Sequence, residues 1–534
     1  MSLIPSPLGG NGENSRRLYP LVVIPMLAIL LIVGGLAFYV KSQAAPASRL
    51  VSLTRSQLPT AVPTNTTWYF DGGSVGGGFQ EYLTMQNPNP SVAANVTITY
   101  FLEATPPTTP THVRKVAHTI PAARRETIDV DMDLGTTTDG PHIDAAALVQ
   151  VTSGPGIIVE RPWYFNNLGV NSGTDTFGVT TPQKAYYFAE ADSTNAPKAG
   201  QPDYNTFVSV LNPSPTLNAN ATITYYTGSC GASGQVACPT QQVSLIPMER
   251  QVLKPTIGLG YHNKFTISVV SSDNPIIAER LLYVKDYVAT AGGWTTGAIM
   301  GVGATAPGSD WLFAEGYTGS NFQEYFELAN FGTSATTAHI KLEYTNGSTQ
   351  TVSVPVPALG FAQPFDVNFA AAHPSNCVPA ACAVTGSVSA EITADSPIVA
   401  ERLMYFHFGA TKISGTTDVV GTPAAQSTYA FAEGYTNRPF AEFITLQNPT
   451  GNNETALVTF YTPSTSYQEQ VTVVAHSRTT IDVDVDLAAK RASGAVSTLV
   501  QAQGAGAVLV AERPQYFVFN GGQGGTDVIG YTGN

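Results

Sequence analysis

A Glu-Arg pair set in an apolar run occurs four times in this chain, and it governs how the rest must be read. The runs are "IIVERPWYF", "IIAERLLYV", "IVAERLMYF" and "VLVAERPQYF", with the pairs at Glu160-Arg161, Glu279-Arg280, Glu401-Arg402 and Glu512-Arg513, so successive arginines stand 119, 122 and 111 residues apart. Each run is preceded by an opening phrase, "WYFDGGS" from Trp68, "YYFAEAD" from Tyr186, "FAEGYTG" from Phe313 and "FAEGYTN" from Phe431, and is followed by a Gly-rich closing phrase such as "GTDTFG" or "GTDVIG". A period of about 118 residues is too long for a solenoid turn or a propeller blade and long enough for a whole domain. The fold must therefore be a unit that can be built four times, over residues 67–184, 185–308, 309–426 and 427–534.

Within one copy, "EYLTMQN", "NVTITYF", "ETIDVDMDL", "ALVQVTS" and "GIIVERPWYF" alternate or run apolar, are rich in Val, Ile, Thr, Tyr and Phe, and are divided by Asn-Pro, Pro-Ala and Gly clusters. No stretch of helical period competes. Seven or eight short strands per copy, roughly one turn signal every 8–15 residues, predict an all-β chain of four tandem immunoglobulin-like β-sandwich modules. Charged residues make up only 12%, about half the usual share. The net charge of −13 offers no basic footprint for nucleic acid.

Between Arg17 and Lys41 runs "LYPLVVIPMLAILLIVGGLAFYV", uncharged and long enough to cross a bilayer as a helix. It predicts a cytoplasmic tail over 1–17, a transmembrane anchor over 18–41 and an Ala/Pro/Ser/Thr-rich spacer over 42–66. A cleaved signal peptide, ending near "SQAAPAS", is the alternative. Cys230, Cys238, Cys377 and Cys382 fall as two close pairs without finger-like His neighbours, which favours local disulfides, Cys230 with Cys238 and Cys377 with Cys382, over metal ligation. Disulfides persist outside the reducing cytoplasm, so the body is expected outside the membrane and the N-terminus inside.

Several patterns invite a chemical reading. Gly72-Gly73-Ser74-Val75-Gly76 satisfies G-x-S-x-G, but a nucleophile elbow needs a helix next, and the sequence here resumes as a strand. Asp129, Asp131 and Asp133 are spaced as in a calcium loop, yet Leu134 stands where that loop requires Gly; an alternating strand with one wet face accounts for them more simply. The repeated acids are Glu81, Glu324 and Glu442, then Glu190, Glu315 and Glu433, and those before Arg. They could serve glycoside hydrolysis in pairs, but an enzyme does not distribute one site over all copies while dropping members, as at Gly72 and Thr206. Structural ion pairs are expected instead: Glu315 with Arg402, Glu433 with Arg513, Arg161 with Glu81 or Asp71, and Arg280 in the same role. Trp68, Trp163, Trp294 and Trp311 are candidate sugar platforms or buried packing residues.

At the level of "WYFDGG", "FAEGYTG", "EYLTMQNPN", "IVAERLMYF" and "GTDVIGYTG", residues 67–534 resemble uncharacterised bacterial surface proteins built from repeats with a Trp-Tyr-Phe-Ala-Glu-Gly signature. That resemblance implies a bacterial, extracytoplasmic setting and carries no site. The expectation is a non-enzymatic, membrane-anchored row of modules with a structural or adhesive role and no cofactor. Its partners would be the membrane, through residues 18–41, and cell-surface glycans or matrix proteins. A carbohydrate-binding or carbohydrate-active protein is the alternative.

Overall fold

The computed structural model of the protein describes residues 50–533 apart from 103–111, 196–201, 229, 232–235, 262–263, 291–292, 376 and 379–385. The apolar stretch 18–41 and Cys382 lie outside the described residues. Among those described, no helix is long and apolar enough to cross a membrane.

The chain is nearly all strand, and copy four shows the plan. Its strands, one to eight, are Thr428–Phe431, Ala441–Asn448, Glu454–Tyr461, Ser466–Val473, Ser477–Asp482, Ser497–Gln503, Val510–Phe519 and Gly522–Ile529. They form two sheets, in the order 4-3-6-1 and 5-2-7-8. Copies one and two repeat this order, and in copy three strands six and seven fuse into Val388–Phe408, which runs from one sheet into the other. The immunoglobulin order keeps the central pairs 2–5 and 3–6 that are seen here, but sets strand one beside two and strand seven beside six. In this protein strand one lies beside six and strand seven beside two. Alternation determines which face of a strand is buried and says nothing of its neighbours, so the sequence could not separate these orders.

Each copy has a core between its two sheets, and at the joints these cores run on: that of copy one takes in Ala430 and Leu499 of copy four, and that of copy three takes in Ala189 and Ala304 of copy two. In Ala219–Tyr226 the buried Ala219, Ala221, Ile223 and Tyr225 alternate with outward residues and meet Val208 and Val210 of the facing sheet. Strand two is buried on both faces, because Ile444 and Leu446 enter the core while on the other face Gln447 donates to Glu343 of the adjoining copy and Thr445 to the Glu512 carbonyl of its own. Strand two ends on an Asn, or in copy two is followed by one, whose amide ties off the turn. Asn448 donates to the Asn452 and Val473 carbonyls at 2.7 and 3.0 Å and accepts from the Thr450 amide; Asn87, Asn212 and Asn330 do the same in their copies.

Two expectations are corrected here. The strand predicted through Asp129, Asp131 and Asp133 stops at Asp129, which caps a helical turn, Val130–Leu134, by accepting from the Met132 amide. Asp366 and Asp482 cap equivalent turns, and Pro255 opens the turn in copy two. Asp is a good N-cap, and a five-residue turn is too short to leave a helical period. Secondly, the segment 42–66 is not spacer throughout. Val51–Leu53 pairs antiparallel with Ser466–Gln468 as an extra edge strand on copy four, and Leu50 enters that copy's core.

The copies do not form a row. Call the eighth strands β1 (Val170–Thr174), β2 (Gly293–Val302), β3 (Ile413–Val420) and β4 (Gly522–Ile529). Each packs on the next, and β4 packs back on β1. The closing phrases are Gly-rich because backbones meet there: a Cβ on Gly415 would lie 2.9 Å from Gly524 Cα, and one on Gly297 would lie 2.8 Å from the Thr416 nitrogen. Head-to-tail contacts that close by rotation make a ring, and this chain closes one with itself.

Candidate functional site

The repeated charged residues lie at the four joints of the ring. At the joint between copies three and four, the buried Arg402 donates from Nη2 to Glu512 Oε2 at 2.8 Å and to Asp527, and from Nη1 to the Glu315 main-chain carbonyl at 2.7 Å. The Ala314 amide donates to Glu512 Oε1 at 2.6 Å. In return, Arg478 of copy four donates to Glu315 Oε2 at 2.6 Å and to the Gly316 carbonyl at 2.5 Å. The Glu315 carboxylate thus meets Arg478, and the expected Glu315–Arg402 side-chain pair is replaced by pairs that cross between copies.

The same pattern recurs round the ring. Arg513 of copy four takes Glu160 at 3.0 Å and Asp175 at 2.5 Å of copy one, plus the Glu433 carbonyl, while Arg125 returns to the Glu433 carboxylate. Arg280 takes Glu401 at 2.7 Å and Asp418. Opposite Ala329 of copy three, where the other copies place the returning Arg, stands Phe361; Lys264 substitutes by bridging Glu190 and Glu327 at 2.6 and 2.9 Å. Arg161 takes Glu279 at 2.6 Å, and Arg250 returns toward Asp71 at 3.7 Å. Arg161, Arg280 and Arg402 also lie 5.3–5.7 Å from the rings of Phe70, Phe188 and Phe313, the Phe of each opening phrase.

These are buried charges, and removing one partner of such a pair typically costs about 3–5 kcal/mol. Burial alone would lower the affinity of the Arg402 guanidinium for its proton; Glu512 and Asp527 outweigh it and raise that affinity. Burial drives Asp418, Asp527 and Glu160 well above the usual carboxylate range. It also pushes Glu81, Glu324 and Glu442 up to about 8. Those three explain the Gly of the opening phrase. A Cβ on Gly73, Gly316 or Gly434 would lie 2.5, 2.8 or 2.6 Å from a carboxylate oxygen of Glu81, Glu324 or Glu442. In copy two Ala191 stands in the Gly position, and the acid is Thr206.

One joint departs from the pattern. At the other three a ring beyond the Glu-Arg pair stacks on the next copy: Tyr287 on Tyr405 and Phe408 on Tyr516 at 3.9 Å, and Phe519 against Tyr164 at 4.4 Å. Between copies one and two that place is held by Asn167, whose amide donates to the Tyr283 hydroxyl at 3.2 Å. Gly72 stands where other copies carry Glu190, Glu315 and Glu433. Met300, opposite Leu281, stands where Asp418 and Asp527 face Leu403 and Pro514. All three departures line a cleft of about 280 Å³, walled by Phe207 and Tyr283.

The remaining sequence candidates have other surroundings. Asp131 is buried and accepts from the Gly76 and Glu81 amides, Asp133 meets His118 and the Tyr100 hydroxyl, and Asp129 is the helix cap, so the three acids serve separate partners. Ser74 donates to Asp144 at 2.5 Å, and His142 lies 3.2 Å from the other Asp144 oxygen; the acid sits in the middle, where a nucleophilic triad needs the imidazole. Cys230 is bonded to Cys238, and Cys377 is also disulfide-bonded. Trp68, Trp163 and Trp311 are buried, and Trp294 is half exposed. Sequence reasoning missed Asp175, Asp418 and Asp527, although "GTD" or "TTD" closes three copies, and it missed Arg125, Arg250 and Arg478, which share one offset before the helical turn.

No protein-family model and no curated protein matches the chain. Among solved structures it is similar to the crystal structure of Thermotoga maritima 1070, at 14% identity over 23% of this chain and 95% of that one, with a TM-score of 0.18.

Proposed function

We propose that the protein is a non-enzymatic, membrane-anchored structural or adhesive scaffold displayed outside a bacterial cell. The observation that carries this reading is the use made of the repeated Glu-Arg pairs: Arg161, Arg280, Arg402 and Arg513 and the acids before them are consumed in sealing joints. Such joints make a rigid platform, as an anchored adhesin requires. The uncharged stretch 18–40 supports the anchor, and the Cys230–Cys238 bond supports an oxidising compartment. The individual copies are read as immunoglobulin-like in having central pairs 2–5 and 3–6, with exchanged outer strands. Protease applied to intact cells tests the placement. The copies should be lost while an N-terminal epitope stays protected and remains in the membrane fraction after a high-pH wash. Protection of the copies, or recovery of a soluble species beginning near Ala45, contradicts it.

A further inference from the structure

We infer that one face of the ring lies on the lipid bilayer that anchors the chain, seated there by an apolar side chain from each copy. The inference rests on the reading of residues 18–40 as an anchor.

The helical turn after strand five carries an exposed apolar residue at its third position in every copy. These are Met132, Ile257, Phe369 and Val485, 75%, 78%, 63% and 62% exposed. In copies one, three and four the turn needs only the backbone of that residue, whose amide donates to the capping Asp129, Asp366 or Asp482. A polar side chain would serve the turn equally well and would be better hydrated. Single exposed apolar residues are ordinary, whereas four in register mark a contact surface.

The topology puts the four in one plane. Strand two runs antiparallel to strands five and seven, with Tyr82 opposite Asp129 and Phe79 opposite Phe165. The helical turn and the hairpin between strands seven and eight therefore leave each copy at the same end. The strands β1 to β4 meet at two levels, near Ser172, Gly297, Gly415 and Gly524 and again near Thr174, Met300, Asp418 and Asp527, so they run beside the ring axis. Copies related by rotation about that axis place equivalent turns at one height, on one face. Two of the hairpins add Leu168 and Trp294, both about half exposed, to the same face.

Chain length supplies the occupant. Strand four of copy four, Ser466–Val473, starts at this end, and Val51 pairs with Gln468, its third residue. Only nine residues, 41–49, join Leu50 to the end of the uncharged stretch at Val40. Fully extended they span about 35 Å, so the bilayer is an apolar partner that the tether keeps within reach of this face. The composition suits shallow insertion. Aliphatic and aromatic tips can enter the headgroup boundary while Lys412, Lys490 and Arg491, exposed beside them, stay wet.

The test uses the full chain in phosphatidylcholine vesicles whose acyl chains are brominated near the headgroup. Trp68, Trp163 and Trp311 are buried, so the emission that Trp294→Phe removes reports on the face. Bromination should lower that component at least about twofold, as for a side chain seated about 5–10 Å into the interface. A Leu217→Trp probe in the Trp294→Phe background, in the turn at the opposite end, should keep its emission. Met132→Ser, Ile257→Ser, Phe369→Ser and Val485→Ser together should relieve the quenching while the chain still resists a high-pH wash. If that variant misfolds, the comparison of Trp294 with the Leu217→Trp probe decides alone. Retention after the wash without quenching of Trp294 overturns the inference and spares the anchor. Quenching followed by loss of the chain on washing overturns the anchor and spares the face, and no association with vesicles overturns both. Quenching that the four substitutions leave unchanged, or equal quenching at both ends, also overturns the inference. So do paired rings in detergent that the same substitutions separate, since the face would then belong to a second copy.

Discussion

At Gly434 a side chain has nowhere to go, because the Glu442 carboxyl at 2.6 Å and the Val496 main-chain carbonyl at 2.7 Å occupy the space a Cβ would need. The pair is a unit, and copy two shows its alternative form, Ala191 with Thr206. Gly434→Ala alone should destabilise the protein by about 1–3 kcal/mol, the usual cost of overpacking. Adding Glu442→Thr should recover the part of that loss due to the carboxyl, which denaturant unfolding of the single and double variants will show; equal loss in both would mean that the Val496 carbonyl alone excludes the side chain. The opening and Glu-Arg phrases were legible as partners in the sequence, since both recur in register with a buried Arg to satisfy. What could not be read was which copy supplies the partner. Glu315 and Arg402 belong to one copy, yet the Arg402 guanidinium takes the Glu315 carbonyl and reaches Glu512 and Asp527 across the joint.

The elements divide in the same way. Strand positions followed from period-two burial and Asn-terminated turns, but the helical turn after Asp129, Asp366 and Asp482 is too short to show a period. The edge strand Val51–Leu53 lies in a stretch whose Ala, Pro, Ser and Thr read as spacer. Leu50, buried in the core of copy four, provides the check. Leu50→Ala should cost about 2–3 kcal/mol, at the low end for buried Leu truncations, and thermal unfolding should show the loss. An unchanged melting temperature would mean that residues 50–53 are a free tether.

For the whole molecule, closure follows from interfaces that repeat head to tail, and a sequence shows that copies repeat without showing that the last meets the first. Closure buries more acids than cations, and this gives a pH dependence. Glu81, Glu324 and Glu442 hold their protons up to about pH 8 when folded, chiefly through burial, against ordinary values of 4.5. Between those limits the native state binds more protons than the unfolded one, so stability falls as pH rises. The contribution is complete below about pH 4.5 and lost above about pH 8. Thermal midpoints should therefore drop from pH 5 to pH 9, roughly speaking, and Glu442→Gln should flatten the drop; a flat parent profile would contradict it. The ring itself is tested most directly by a double-mutant cycle on Arg513 and Glu160, which lie 3.0 Å apart across the joint between copies four and one. Arg513→Ala, Glu160→Ala and the double variant should show a coupling of about 2–3 kcal/mol, as for residues in one buried network, whereas additivity within about 0.5 kcal/mol would mean that copy four does not meet copy one and the chain is an open row.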